Sequence, residues 1–450
     1  MDQNESTGLR GNHDVKIILW GINYAPESIG IAPFNRDLCE YLVDRGHDVT
    51  AVTSFPYYPQ WRKAPGDRGR WHREETSGGV GIHRCWCYVP LRVTTVRRIL
   101  HELSFGLVSM LHLLTQPRAD VYLVVSPPLV LGFFAWIVTR LKRSQFVFHV
   151  QDLQPDAAVG LGMLRRGWLV RALYGLERLA YAKAARVSGI SEGMMAAFGR
   201  KGVPAARQVL LPNWLRGAAA PRAAGKDRDE ARRFFDVADG TLLAFYAGNL
   251  GRKQHLEILV ETATLLQALP PADTAKIRII IAGDGAARPD LEKCLRAHPG
   301  AGIQLLPLLS EQDYARLLQA ADVALITQAT GSGQFFFPSK LLSVLAAGLP
   351  VVAVADADSE LSAAVRAGGF GRTVAPGDAL GLAVILRSLS ECGRLLDVWA
   401  KRTSWVRQYS RDAVLPRFEQ ALLALTWNGA GADPAKQPLP MAPAPVRFGN

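Results

Sequence analysis

Short runs of β-forming residues alternate with helix-period patterns along almost the whole chain. This limits the possible folds more than any other feature. "VKIILWGIN" (15–23) has the makings of a strand, "PFNRDLCEYLVDRG" (33–46) of an amphipathic helix closed by Gly46, and "HDVTAVTSF" (47–55) of the next strand. Further strands are expected at 80–88, 120–125, 145–150 and 185–190, with helices between them, notably at 127–143 and 168–183. Such alternation implies parallel sheets with helices on both faces. It stops once, around 215–232, where "RGAAAPRAAGKDRDEARR" is rich in Ala, Gly and charge and suits a linker plus a helix start. It then resumes, with strands expected at 241–247, 277–282, 303–308, 322–327, 350–354 and 371–374. The expected layout is a polar disordered start (1–14), a first α/β domain (15–215), a linker (216–232), a second α/β domain (233–390), C-terminal helices (391–427) and a Pro/Ala/Gly-rich disordered tail (428–450).

With 450 residues, 49% of them hydrophobic and 20% charged, each domain can bury a full core. The net charge of +12 suits an anionic partner: nucleic acid, an acidic lipid surface or a phosphorylated metabolite. Five cysteines do not make a disulfide framework in a chain this long. Cys85-x-Cys87 has strand spacing and is expected to be a pair of buried thiols rather than a metal site. The polar N-terminus has no apolar core of the kind a signal peptide needs, and no apolar stretch reaches the roughly 18–20 residues of a spanning helix. A cytoplasmic protein that touches a membrane is expected.

Ligands of open α/β sheets sit beyond the carboxyl ends of the strands. After 241–247 comes "YAGNLGRKQHLE", in which Gly248 lets the backbone approach a ligand closely. Asn249, Arg252 and Lys253 follow, ahead of an expected helix. Exposed amides with a lysine can hold a diphosphate; the simpler reading is an ordinary turn with a solvated basic face. After 277–282, "AGDGAARPDLE" begins like a dinucleotide fingerprint at Gly283 and Gly285, but Arg288 stands at the third glycine position, which disfavours a dehydrogenase. After 322–327, "QATGSGQFFFPSKLLSVLAAGLPVVA" carries Gly331 and Gly333 in a loop, then Pro338, Ser339 and Lys340 at a helix start. A lysine in a first helical turn opposes the helix dipole unless an anion lies there. In the first domain, "FVFHVQDLQPDA" sets His149, Gln151 and Asp152 at a strand end, where they can orient hydroxyls; a purely structural histidine is the competing reading.

Two tandem Rossmann-like domains, "YAGNLG" with its following lysine, and "FPSKLLSVLAAGLPVVA" resemble the retaining GT-B glycosyltransferases of family 4. "LWGINYAPESIGIAPFNRDLCEYLVDRGHDVTAVTSFPYYPQW" and "HVQDLQPDAAVGLGML" resemble its colanic-acid-type fucosyltransferase branch, which acts in bacterial exopolysaccharide assembly. The resemblance covers roughly 15–425. It implies a nucleotide-diphosphate sugar in the second domain and an acceptor in the first. It puts Lys253 and the amides around Gly331 and Gly333 on the diphosphate, Lys340 in support, His149 near the transferred sugar and Gly30 close to the phosphates. It departs from the family at Asn249, where many members have arginine, and at Phe335 and Ser343, which stand where members carry two glutamates, the second of which grips the donor ribose.

The resemblance implies transfer with retention, the acceptor attacking on the leaving-group side while the diphosphate helps take its proton. His149, Asp152 and Lys253 are then the expected catalytic residues. Gly30, Gly248, Asn249, Arg252, Lys253, Gly283, Gly331, Gly333, Ser339, Lys340 and Ser343 are the expected donor-site residues. Neither metal nor other cofactor is expected, and fucose is the candidate sugar. The expected partners are the nucleotide-sugar, a lipid-linked glycan acceptor and an anionic membrane surface, not nucleic acid. Basic, aromatic and aliphatic residues at helical spacing in 91–114 and 165–186 suit helices lying in the membrane interface at the inner face of the plasma membrane, with ordinary amphipathic helices packed on the sheet as the competing reading. A sugar-nucleotide epimerase and a non-catalytic binding module on the same fold are the alternatives.

Overall fold

The computed structural model describes residues 14–28, 30–160, 167–216, 225–268, 277–300, 302–331, 333, 340–391, 396 and 403–426. These residues build two doubly wound α/β units. The first sheet comprises β1 (Lys16–Trp20), β2 (Asp48–Ser54), β3 (His72–Ser77), β4 (Val80–Cys85), β5 (Val121–Ser126), β6 (Gln145–Val150), β7 (Arg186–Gly189) and β8 (Gln208–Leu210). Their spatial order is β3-β4-β2-β1-β5-β6-β7-β8, parallel throughout except for the β3–β4 hairpin. The second sheet runs β11-β10-β9-β12-β13-β14 and is wholly parallel. Its strands are β9 (Leu242–Ala247), β10 (Ile277–Ala282), β11 (Ile303–Leu306), β12 (Val323–Thr327), β13 (Val351–Val354) and β14 (Gly371–Val374).

Central strands such as β5, "VYLVVS", are buried at every position, as expected of a parallel strand covered on both faces. On one face of the first sheet lie α2 (Thr95–Thr115), α3 (Leu131–Lys142) and α5 (Trp168–Lys183), around Phe105, Phe134, Phe148 and Tyr181. α4 (Gln154–Gly160) and α6 (Glu192–Arg200) lead into and out of this layer. On the other face α1 (Ala32–Asp44) buries Leu38, Cys39 and Leu42. Each leucine contributes about 1.5–3 kcal/mol. In the second unit α7 (Lys226–Phe234), α10 (Glu311–Ala320), α11 (Lys340–Ala346) and α12 (Glu360–Gly368) cover one face. α8 (Glu257–Gln267), α9 (Arg288–Ala297) and α13 (Ala379–Glu391) cover the other.

The last helix, α14 (Arg411–Thr426), lies within the expected C-terminal helices and packs back on the first unit. Val414, Leu415, Phe418 and Leu422 join the core under β1 and α1. Glu419 is gripped there by Tyr41 at 2.8 Å, Arg45 at 3.2 Å and His47 at 3.3 Å. Two strands, β3 and β8, lie where none was expected. Cys85 and Cys87 are buried free thiols, as expected, and burial pushes both up to about 12.

Candidate functional site

In each sheet the strand order reverses beside the first strand: β1 is flanked by β2 and β5, and β9 by β10 and β12. A crevice opens at such a switch point. In the second unit three loops converge there. Leu250 N–H donates to the Asp284 carbonyl (2.9 Å) and Ala329 N–H to the Lys253 carbonyl (2.8 Å), so the loops after β9, β10 and β12 form one floor. Gly283 is required by that packing: at φ +151°, a Cβ on it would lie 1.8 Å from the Gly248 carbonyl oxygen. Its role here is close packing, whereas Asn249 holds the next turn through its backbone carbonyl, which accepts from the Tyr246 hydroxyl at 2.8 Å.

Lys340, first residue of α11, reaches into this floor. Its Nζ lies 2.5 Å from the Tyr246 hydroxyl and 4.0 Å from the centre of that ring. Gly248 makes the approach possible: a Cβ there would sit 2.4 Å from Lys340 Cε. Burial, reinforced by the charge of Lys253, brings Lys340 down to about 7. Lys253 is also lowered by burial, against an opposing pull from Asp152. Two half-buried lysines thus lie together at the strand-to-helix switch point, the charge of Lys253 acting on Lys340. Lys253 lies in a short 3-10 turn, Arg252–Gln254, and α8 starts only at Glu257, which corrects the expectation that it opens a helix. Arg252 beside it is exposed.

Asp152, at the end of β6, faces Lys253 from the first unit. Burial raises its carboxyl, and Lys253 and Arg98 work against that rise. An acidic group of one unit and a basic group of the other thus lie close enough for their charges to interact. The units also touch through Glu360, whose carboxylate accepts the Gly193 N–H at the start of α6.

His149 lies deeper. Its Nε2 accepts from Gln151 Nε2 at 2.7 Å, so Nδ1–H donates to the Ser188 hydroxyl at 2.9 Å. Gln151 in turn exchanges two 3.0 Å hydrogen bonds with Asn213. Burial takes His149 down to about 3, so the ring is neutral and both nitrogens are engaged. Gly30, at φ +70°, stands just before α1. The loop leading to it is anchored by Glu27, which accepts from Asn23 and from the amides of Tyr57 and Tyr58. The "NYAPES" and "FPYYPQW" stretches are therefore joined through Glu27. Gly331 donates its N–H to Asp356 (2.7 Å), and a Cβ on Gly333 would meet Ser359 at 2.6 Å, so this loop leans on the start of α12. The Ser343 hydroxyl bonds Tyr314 and the Lys340 carbonyl, both at 2.9 Å. Ser339 and Phe335 lie outside the described residues.

Tyr246 is the residue that sequence reasoning missed: a tyrosine closing an apolar run looks like core. Its hydroxyl is what seats Lys340.

These two sheets and this crevice are those of a GT-B glycosyltransferase. Sucrose-phosphate synthase from Thermosynechococcus elongatus superimposes with a TM-score of 0.70 at 17% identity, over 90% of this chain and 97% of that one. HepE of Anabaena, in complex with UDP-glucose, does so with a TM-score of 0.65 at 16% identity, over 91% and 100%. Residues 30–214 match the glycosyl transferase 4-like domain, and residues 242–391 match glycosyl transferases group 1. The colanic acid biosynthesis glycosyl transferase WcaI of Escherichia coli K12 is 33% identical over 352 residues, 77% of this chain and 85% of that protein. The chain belongs to this glycosyltransferase family and is a glycosyltransferase.

Proposed function

We propose that the enzyme takes a nucleotide-diphosphate sugar into the second unit and transfers the sugar, with retention, to a lipid-linked glycan during exopolysaccharide assembly. The observation that carries this reading is the half-buried Lys253–Lys340 pair at the switch point, with Asp152 of the first unit close by. A diphosphate complements the positive charge of this pair, and HepE, of the same fold, has UDP-glucose bound. The likeness to WcaI supports the exopolysaccharide role and keeps fucose as the candidate sugar.

In this reading the acceptor hydroxyl attacks on the face from which the diphosphate leaves, and a diphosphate oxygen takes its proton. Lys253 and Lys340 stabilise charge growing on the leaving group, and no metal is called on for that. Asp152 orients hydroxyls. His149 is a positioning residue: its hydrogen bonds fix Gln151, next to Asp152 in sequence.

The acceptor side fits a membrane surface. Val96, Leu100, Leu103, Leu107 and Leu111 form an exposed stripe along α2, and Arg92, Arg97 and Arg98 are exposed at its start. A helix with this pattern lies in a membrane interface. In α5, Leu173, Tyr174 and Leu176 are half-buried and only Trp168 stands well out, so α2 carries most of this surface. No helix among the described residues is long and apolar enough to cross a membrane. We assign the contact to the anionic inner face of the plasma membrane.

The test is a donor screen followed by product analysis. One nucleotide-sugar should stabilise the protein, by about 2.7 kcal/mol at 100 times its dissociation constant. With a polyprenyl-diphosphate-linked acceptor it should yield glycan with the donor's anomeric configuration. A changed or hydrolysed donor with no acceptor product, or inverted product, would overturn the reading.

A further inference from the structure

At the outer edge of the first sheet, three histidines and a glutamate converge from three elements. His72 and Glu74 are two apart on β3 and share a face. The hairpin register sets Glu74 directly opposite His83 of β4. His112 arrives from the last turn of α2. His83 Nδ1 is 2.9 Å from His112 Nε2, and the His72 and His112 ring centres are 4.2 Å apart. Glu74 Oε1 is 3.7 Å from His72 Nε2 and 4.0 Å from His83 Nδ1. One donor atom from each of the four lies within 4.8 Å of all the others.

Ligands on one tetrahedral zinc ion, each about 2.0–2.1 Å from it, stand about 3.3 Å from one another. The four groups are thus already gathered to within about 1.5 Å of a coordination sphere. The closest pair needs only to open slightly and the widest to close. Imidazole nitrogens with one carboxylate are the donor set that zinc and its first-row neighbours favour. Four protein ligands would complete a closed, structural site and leave no position for substrate. Access is assured, because His72 and Glu74 are exposed while His83 and His112 are half-buried.

We infer that His72, Glu74, His83 and His112 bind one transition-metal cation of the zinc class, clamping the β3–β4 hairpin onto α2. Binding forms four coordinate bonds from existing lone pairs and involves no redox change. α2 also carries Arg98, whose charge reaches Asp152. His112 lies 14 residues further on, about 21 Å along the helix axis at 1.5 Å per residue. The metal therefore holds the far end of a helix whose near end borders the crevice.

The test uses tag-free, full-length protein stripped of metal by chelator. Zinc is titrated against a chromophoric competitor, and cobalt against the visible absorption of the protein. One equivalent of zinc per chain should bind and raise the melting temperature, and cobalt should give the intense absorption of a four-coordinate ion. His83→Gln with His112→Gln should weaken zinc binding by at least tenfold. If circular dichroism shows that this double variant fails to fold, the exposed pair His72→Asn and Glu74→Gln takes its place, each expected to weaken binding with the fold intact. Absence of stoichiometric zinc, or affinity unchanged in these variants, overturns the inference, as does a purely octahedral cobalt spectrum.

Discussion

Replacing Lys340 by Met probes the proposed anion site through stability rather than rate. Burial and the like charge of Lys253 bring this lysine from 10.5 to about 7. At about 1.4 kcal/mol per factor of ten in the protonation equilibrium, holding an ammonium there at pH 7 costs the unliganded enzyme on the order of 4 kcal/mol. Methionine fills the same space over the Tyr246 ring without charge. It forfeits the hydrogen bond between Nζ and the Tyr246 hydroxyl, worth about 1 kcal/mol. The variant should therefore be as stable as the wild type without ligand, or more stable by up to about 3 kcal/mol. It should lose the stabilisation that donor adds, about 2.7 kcal/mol at 100 times the dissociation constant. Urea unfolding at pH 7, with and without nucleotide-sugar, measures both. The sign of the pH dependence is fixed as well. Between about 7 and 10.5 the unfolded chain holds a proton that the folded one releases, so wild-type stability gains with rising pH across this window. Lys340→Met removes that gain. A variant clearly less stable than wild type without ligand, or one with an undiminished donor-induced shift, would refute the assignment of Lys340 as a strained, ligand-awaiting charge.

Three further outcomes are expected. Gly248→Ala puts a methyl 2.4 Å from Lys340 Cε at a φ of +129°, so it should cost about 1–3 kcal/mol of stability and abolish the donor-induced thermal shift; retention of that shift would show that Lys340 need not approach Gly248. Hydrogen bonds from Tyr41, Arg45 and His47 outweigh the effect of burial and hold the Glu419 carboxyl below its ordinary range. The stability this lends is full above the unfolded carboxylate value, near pH 4.3, and is lost as pH falls through the lowered one. Acid unfolding of Glu419→Gln should accordingly have a shallower pH dependence, and an unchanged curve would remove Glu419 as the clamp on α14. Leu103→Glu with Leu107→Glu should abolish flotation with anionic vesicles while leaving the melting temperature unchanged, because both side chains are exposed; equal flotation would move the membrane contact off α2.

The alternation that announced two doubly wound sheets was legible because parallel strands buried on both faces must be continuously apolar, as β5 and β9 are. β3, "HREETS", was not legible: it has no apolar period, and its place comes from pairing with β4 at the sheet edge. β8 has three residues, too few to show any period. The place of Lys340 at a helix start was legible, as α11 begins there. Tyr246 was not, since its partner is 94 residues away. His149 could be placed at a strand end, but sequence alone did not reveal that Ser188 and Gln151 would occupy both its nitrogens. The histidine cluster stayed hidden for the same reason: its members belong to three elements that only the fold brings together.

The most direct test is the transfer rate of Lys253→Ala under saturating donor and acceptor, with circular dichroism confirming the fold. In the proposed reaction Lys253 bears on the leaving group, and in the structure its charge interacts with Asp152 of the first unit. Loss of one such transition-state contact costs about 2.7–4 kcal/mol, a fall of roughly 100- to 1000-fold in kcat. A folded Lys253→Ala enzyme that slows by that factor is the predicted result, and one that turns over at the wild-type rate contradicts a diphosphate site at this lysine.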